Sequence, residues 1–389
     1  VYTLGGTEQS GSFSFDEPVP AIFGRAVKMP LTLPAADEKG ETPLELRITG
    51  VNGKDNASME TEPATSMLTA RLFVPVTRPL VEEFTGLNCG WCPRGYVMLE
   101  QEKQKHGDRF VALSYHSSGW ESGAMCCIDP GEFPIIPSGY SGYPNAALNR
   151  SAQMDPSNIP ARWAVAAAQT ASCSIETDIA WSDDTMTELK VTGKARFINS
   201  LKEHGYRLSF ALVADGLCDP SWEQANYYNG YDAEGIYTGP FWDLFIGKPD
   251  HVTGLTFNDI VVYYKDVQGI EGSLPEEIEA GETYEYSFTV PVESIVNLRG
   301  KNIVNDFNKV RAVGMILNNG RPANCISSVY PDGTNGVETL PAEDRAAAVV
   351  AVTYHDLQGR RLESPAIKGM TIVTETLDNG EKRTYKLIK

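Results

Sequence analysis

The chain is short of basic charge, of sulfur and of long apolar runs. Lys and Arg number 33 against 51 Asp and Glu, a formal net charge of −18 over 389 residues. That balance repels a phosphate backbone and argues against nucleic-acid binding. The longest strictly apolar stretch, residues 346–352, is far below the ~20 residues a membrane-spanning helix needs, so no transmembrane segment is expected. Only 9 Met stand beside 35 Gly and 24 Pro, which, with many Tyr, Thr and Val, favours strands and turns over long helices. Seven cysteines are too few for a disulfide scaffold, and the odd number leaves at least one thiol without an intramolecular partner. A second C-x-x-C and a clustered His pair are both missing, so neither a metal nor a cofactor is expected. Val1 follows neither Met nor a basic-then-apolar leader, as expected if a targeting segment has been removed or the chain shortened.

What is present suffices for packed cores: 42% of residues are hydrophobic. The length suits two to four domains at the usual ~100–200 residues each. Residues 1–77 read as a small β module, with Ser12-Phe13-Ser14-Phe15, residues 44–48 and residues 67–76 as strand candidates and Pro18, Pro20, Pro30, Pro34 and Pro43 between them. The pattern changes at Arg78-Pro79. Over residues 78–170 it becomes strand (80–84), helix after Pro93, strand (110–116), a long Gly, Ser and Pro loop, strand (145–149) and a helix that Ser157 would cap. This is an α/β unit. Gly107 is the expected stop of the first helix. Strand candidates then recur at 173–181, 189–198, 207–213, 260–264, 283–290 and 310–317, which suggests a β-sandwich over 171–331. Residues 332–389 read as a linker, 332–344, and a small terminal β segment with turns at Gln358-Gly359 and Asn379-Gly380.

The chemistry concentrates at Cys89-Gly90-Trp91-Cys92. Two thiols three positions apart at a helix start can close a small ring. The outer one, Cys89, lies near unpaired N–H groups and the positive end of the helix dipole, which favour its thiolate. Cys92, one turn in, is placed to resolve a mixed disulfide. Strand, C-x-x-C and helix in that order make the motif informative.

These residues resemble the thioredoxin superfamily. Leu80-Val81-Glu82-Glu83-Phe84 with Cys89-Gly90-Trp91-Cys92-Pro93 matches its active-site strand and helix. The resemblance implies a buried proton-transferring carboxylate at Glu83. It also implies a cis-proline dipeptide at Tyr143-Pro144 that docks extended substrate, with Trp91 beside it. Asn88 stands where the family often has Trp. A wider resemblance links Val81-Glu82-Glu83-Phe84-Thr85-Gly86, Cys92-Pro93-Arg94-Gly95, Gly142-Tyr143-Pro144, Asn149-Arg150, Leu212-Val213-Ala214-Asp215-Gly216 and Gln224-Ala225-Asn226 to the twenty-eight-kilodalton outer-membrane-protein family of Bacteroidetes-type bacteria. Tyr354-His355-Asp356-Leu357-Gln358-Gly359-Arg360-Arg361, Lys368-Gly369-Met370-Thr371-Ile372-Val373 and Asn379-Gly380 resemble the type IX secretion sorting domain, with Thr371 where Tyr is usual. The resemblances imply a multidomain α/β plus all-β chain. A thioredoxin-like domain would be flanked by an N-terminal β module, a β-sandwich and a small terminal β domain. They also imply export to the periplasm, the outer-membrane surface or the outside, with protein or peptide thiols and disulfides as partners.

Each candidate also has a plainer reading. Cys89 and Cys92 could form a structural bridge on a non-catalytic surface protein. Cys126 and Cys127 could relay electrons or simply be packed. Cys173, Cys218 and Cys325 could be buried thiols or include one bridge. His116 could pair with a cysteine nucleophile or merely hydrogen-bond at its strand end. Tyr227, Tyr228, Tyr231, Tyr237, Phe241 and Trp242 could bind glycan or peptide, or serve loop packing.

Overall fold

A computed structural model describes residues 1–15, 33, 40–57, 62–70, 72–121, 123–131, 142–333, 349–355, 361–362, 370–377 and 382–388. The architecture is mostly β, with two α-helices among the described residues: a mixed α/β region and further sheets. Contacts divide the chain into two compact units, Val1–Gly336 and Val337–Lys389.

The first unit is organised by an eight-stranded sheet. Its order is Gln153–Met154, Asn145–Leu148, Leu80–Thr85, Val111–His116, Ile260–Lys265, Tyr206–Ala214, Val310–Asn318 and Arg321–Ser327. Leu80–Thr85 and Val111–His116 run parallel in the register Glu83↔Ser114, and the other pairs are antiparallel except one. That exception, Ile260 parallel to Ser114, lies across the boundary expected at residue 170. Strands from both sides of it therefore share one sheet. Val111–His116 and Ile260–Lys265 meet at one point of the edge, where Ser114 N–H donates to Asp259 O at 2.8 Å. The remaining strands of the 171–331 region, Cys173–Trp181, Glu188–Phe197 and Thr283–Pro291, form a three-stranded antiparallel sheet. This sheet stacks on the same face as the helices, where Gly193 and Phe210, and Thr177 and Gly314, leave no room between the layers.

Alternation along the strands creates two cores. On one face Val81, Ala112, Ala146, Ile260 and Leu212 meet the helices and the three-stranded sheet. On the other, Leu80, Phe84, Leu113, Tyr115, Val213 and Val313 pack together. Helix α1, Pro93–His106, begins with a proline whose missing N–H would have no partner there, and it ends before Gly107. It buries Val97, Met98 and Leu99. Helix α2, Ile159–Ala167, buries Ile159 and Trp163. The side chain that caps the turn leading into it is Asp155, accepting from the Ser157 N–H; Ser157 itself does not cap.

A buried ionic network ties α1 to the sheet. Arg311 donates to Asp215 through Nε (2.6 Å) and Nη2 (3.0 Å) and to Asp259 through Nη2 (2.5 Å). Lys103 of α1 donates to Asp259 at 2.9 Å, and Tyr330 donates to Asp215 at 2.9 Å. Burial pushes the Asp215 carboxyl up, but Arg311 and Lys103 outweigh it and hold that group below the usual carboxylate range.

The N-terminal residues of this unit form a four-stranded antiparallel sheet in the order Thr7–Gln9, Tyr2–Leu4, Gly40–Leu46 and Ala64–Ala70. Ser12-Phe13-Ser14-Phe15, expected as a strand, is not one: both Phe rings are exposed and pack edge-to-face on each other. Pro18, Pro20, Pro30 and Pro34 lie outside the described residues.

The second unit contains an antiparallel sheet in the order Arg361–Leu362, Val349–His355, Met370–Leu377 and Lys382–Ile388. The expected turns Gln358-Gly359 and Asn379-Gly380, and residues 334–344 of the expected linker, lie outside the described residues.

Candidate functional site

The strand Leu80–Thr85 delivers the chain to a tight turn. Cys89 N–H donates to Gly86 O at 3.1 Å, and Cys92 N–H donates to Cys89 O at 3.1 Å. Cys92 is the N-cap of α1 and is bonded to Cys89, with Cα atoms 5.3 Å apart. Among the described residues this is the one disulfide; Cys126, Cys127, Cys173, Cys218 and Cys325 are free. Cys89 is 3% exposed and Cys92 is 1% exposed. The bond therefore lies just before α1, with Cys92 at the N-cap rather than one turn in as expected and Cys89 in the preceding turn, and is almost wholly covered.

Glu83 lies beneath that helix start. Ser114 Oγ donates to its Oε2 at 2.6 Å, whereas its buried Oε1 has no hydrogen-bond partner. The carboxyl abuts Gly95 in the first turn of α1. A Cβ on that residue would stand 2.0 Å from Glu83 Oε1, so a larger residue there would have to displace the carboxyl. Gly95 N–H in turn donates to Cys92 O at 2.9 Å. Burial pushes the Glu83 pKa up to about 7, against the opposing pull of the Ser114 hydrogen bond and of His116. A cavity of about 20 Å³ beside it, lined by Glu83, Thr85, Ser114, His116 and Asp259, has room for one water molecule.

The adjacent acid does something different. Glu82 points to the opposite face, where Arg150 Nε and Nη2 reach it at 3.3 Å and Tyr115 Oη donates at 3.2 Å. Arg150 also donates to Val267 O at 2.6 Å and to Tyr264 Oη at 2.8 Å. Glu82 is thus a paired structural carboxylate, and Glu83 is the acid left with an unpaired oxygen.

The Tyr143–Pro144 bond is cis. The register Phe84↔Asn145 sets this dipeptide beside the end of the strand that leads into Cys89. Tyr143 packs on Trp120, with ring centroids 5.9 Å apart, and Trp120 O accepts from Asn88 N–H at 2.8 Å. Trp91 is 40% exposed on the outside of the turn.

His116 is buried with its Nδ1 on Glu121, so its described bond is the strand-end hydrogen bond of the plainer reading. Glu121 also accepts from Met125 N–H at 2.6 Å. Cys126 and Cys127 are both buried. Burial first, then Asp129 and Glu121, pushes the Cys126 thiol well above its usual range; burial and Glu121 push Cys127 up to about 12. Both are protonated at neutral pH and poor nucleophiles, which suits packing and gives a relay no support. Cys173, pushed up to about 12 by burial, behaves likewise, and Cys218 is exposed. Among the described residues no three His, Cys, Asp or Glu side chains gather as metal ligands would.

Part of the aromatic stretch packs at an unexpected place. Tyr227, Tyr228 and Tyr231 surround the Trp91 ring with centroids 5.3, 5.4 and 6.3 Å away, and Tyr228 packs on Trp242 at 5.0 Å. Gln224 Nε2 donates to Cys89 O at 3.0 Å and Leu87 O at 3.2 Å. Sequence reasoning singled out Tyr227 as a binding or packing aromatic and Gln224 within a family resemblance, but placed neither of them at the Cys89–Cys92 turn. Nothing in local spacing ties them to a turn more than a hundred positions upstream.

No family model and no curated protein matches the chain. Among solved structures, HBP35 of Porphyromonas gingivalis is similar at 11% identity and a TM-score of 0.44, covering 81% of this chain and 99% of that one. A protein of Agrobacterium tumefaciens is similar at 14% identity and a TM-score of 0.33, covering 65% of this chain and 94% of that one.

Proposed function

We propose that the chain is an exported thiol–disulfide oxidoreductase, with a thioredoxin-like α/β scaffold that carries Cys89-Gly90-Trp91-Cys92 as its exchange centre. The observation that carries this reading is Glu83, a buried acid with a pKa of about 7 packed against the helix start that Cys92 caps. An acid that titrates near neutral pH at this place can take or give the proton of the inner thiol during exchange, which supports the reading.

In the reducing direction the Cys89 thiolate attacks a substrate disulfide. A bond forms between Cys89 Sγ and the nearer substrate sulfur, and the other substrate sulfur leaves with the electron pair. Cys92 loses its proton to Glu83 and attacks Cys89 Sγ. The Cys89–Cys92 bond forms and the second substrate thiolate departs. The substrate gains two electrons and the protein dithiol loses them; the oxidising direction is the reverse. Extended peptide docks beside Tyr143-Pro144 and Trp91. Protein or peptide thiols and disulfides are the partners, at the cell surface or outside. The C-terminal sequence pattern supports export.

Insulin reduction by dithiothreitol, with the full chain as catalyst, tests the reading. Wild type is expected to accelerate precipitation of the insulin B chain, and Cys89→Ser is not. Equal rates for the two remove the catalytic role.

A second reading, a non-catalytic surface protein with a structural Cys89–Cys92 bond, is favoured by one specific observation, the near-complete burial of both sulfurs.

A further inference from the structure

Cys89, Gly90 and Cys92 of the turn that holds the disulfide are buried, while Asn88 and Trp91 are exposed. The segment at residues 222–231 lies along it. Ala225 N–H donates to Leu87 O at 2.7 Å, and Tyr227 N–H donates to Gly90 O at 2.9 Å. The Gln224 amide adds its bonds to Cys89 O and Leu87 O. Three carbonyls of a four-residue stretch thus point at one segment. The Tyr227 ring lies flat against Gly90, where a Cβ would stand 2.4 Å from a ring carbon. This segment is itself anchored. Tyr228 is fully buried, Asn226 Nδ2 donates to Phe245 O at 2.8 Å and to Pro249 O at 3.1 Å, and Glu223–Ala225 pairs with His251–Thr253.

We propose that residues 222–231 are a strap that holds the Cys89-Gly90-Trp91-Cys92 turn closed in its oxidised form and sets the rate at which the disulfide opens, with Gln224 and Tyr227 as its positioning residues. This rests on the turn being the exchange centre. An attacking thiolate must approach a sulfur along the S–S axis, and Cys89 offers almost no surface for that approach. Asn226 and Tyr228 anchor the strap, so access to a sulfur requires the turn to part from it. That parting breaks the carbonyl bonds to Gln224, Ala225 and Tyr227.

The test is the second-order rate of reduction of the oxidised full chain by dithiothreitol at pH 7, followed by trapping of freed thiols and mass measurement. In that reaction a dithiothreitol sulfur bonds to one cysteine sulfur, and the other cysteine leaves as a thiolate and takes a proton. The second dithiothreitol thiol then expels the first cysteine. Dithiothreitol closes to its cyclic disulfide, and the protein gains two electrons and two protons. Gln224→Ala and Tyr227→Ala are each expected to accelerate reduction roughly three- to thirtyfold, the equivalent of one or two net hydrogen bonds or ring contacts. Gly90→Ala, which evicts the ring, is expected to do the same. The Gly90→Ala, Tyr227→Ala double variant is expected to be no faster than the faster single one, because both release one contact. The acceleration should persist unchanged at low urea, below the unfolding transition, as a local opening does.

Tyr227 is 56% exposed, so its truncation leaves a folded protein to measure even if Gln224→Ala does not. A wild-type rate in Tyr227→Ala overturns the strap, and so does an acceleration that tracks global unfolding. A negative insulin assay with faster reduction in these variants would leave the strap standing and remove the catalytic reading.

Discussion

Glu83→Gln is expected to raise stability relative to wild type by about 3 kcal/mol above pH 7 and to change it little below pH 4.5. Burial is the main cause, lifting this carboxyl from 4.5 to about 7 in the folded chain. In the unfolded chain the proton leaves near 4.5. Through the window between those values the folded state holds a proton that the unfolded state has lost. Stability therefore falls as pH rises through the window: the contribution is fully present below 4.5 and lost above about 7. Glutamine does not titrate, and its amide oxygen can still accept from Ser114. Urea unfolding of both proteins at several pH values from 4 to 8 checks this; a stability difference that stays constant with pH would place the Glu83 carboxyl in a different environment. The functional sense is that the fold retains a destabilising acid against the helix start of its disulfide.

Arg311→Met should cost about 3–5 kcal/mol of folding stability, because it leaves Asp215 and Asp259 buried with Lys103 as their remaining cation. Removing one partner of a buried ionic cluster exposes the full penalty of the others. Replacing the three most buried charges together, as Asp215→Asn, Asp259→Asn and Arg311→Met, leaves only Lys103, whose side chain is 24% exposed and can reach water, and is expected to cost less than Arg311→Met alone. Acid narrows the Arg311→Met effect. The Asp215 carboxyl is held below its ordinary 3.8, so its contribution is present above that value and fades as pH falls through the lower folded one. Denaturant midpoints of the single and triple variants measure both effects. A triple variant less stable than the single one would contradict the account of the network.

Local chemistry made much of this legible from sequence. Pro93 and Gly107 bracket α1 because one lacks an N–H and the other ends a helix readily. Recurrent strand-like stretches with Gly and Pro between them marked 173–181 and 310–317, and the strands are Cys173–Trp181 and Val310–Asn318. The two cysteines, one turn apart, read directly as a ring. What stayed hidden depends on distant partners. Glu82 and Glu83 are neighbours with the same charge, and period-two geometry says only that they face opposite ways. Arg150 meets the one and Gly95 the other, and that assignment needed the sheet. The pairing of Ser114 with Ile260, which joins the α/β region to the later strands, leaves no local mark because either strand could have been an edge. The strap was hidden for the same reason: Gln224 carries no signal for the carbonyl of Cys89. Ser12–Phe15 misled because alternation predicts a strand only where a partner strand exists.

The reduction potential of Cys89–Cys92 in the full chain tests the central claim most directly, read as the fraction of free thiol at equilibrium in graded glutathione and dithiothreitol buffers. The account predicts a bond that exchanges with these buffers at a potential above about −300 mV. A bond that stays closed against glutathione, with a potential below that value, would make it a structural link and contradict the account.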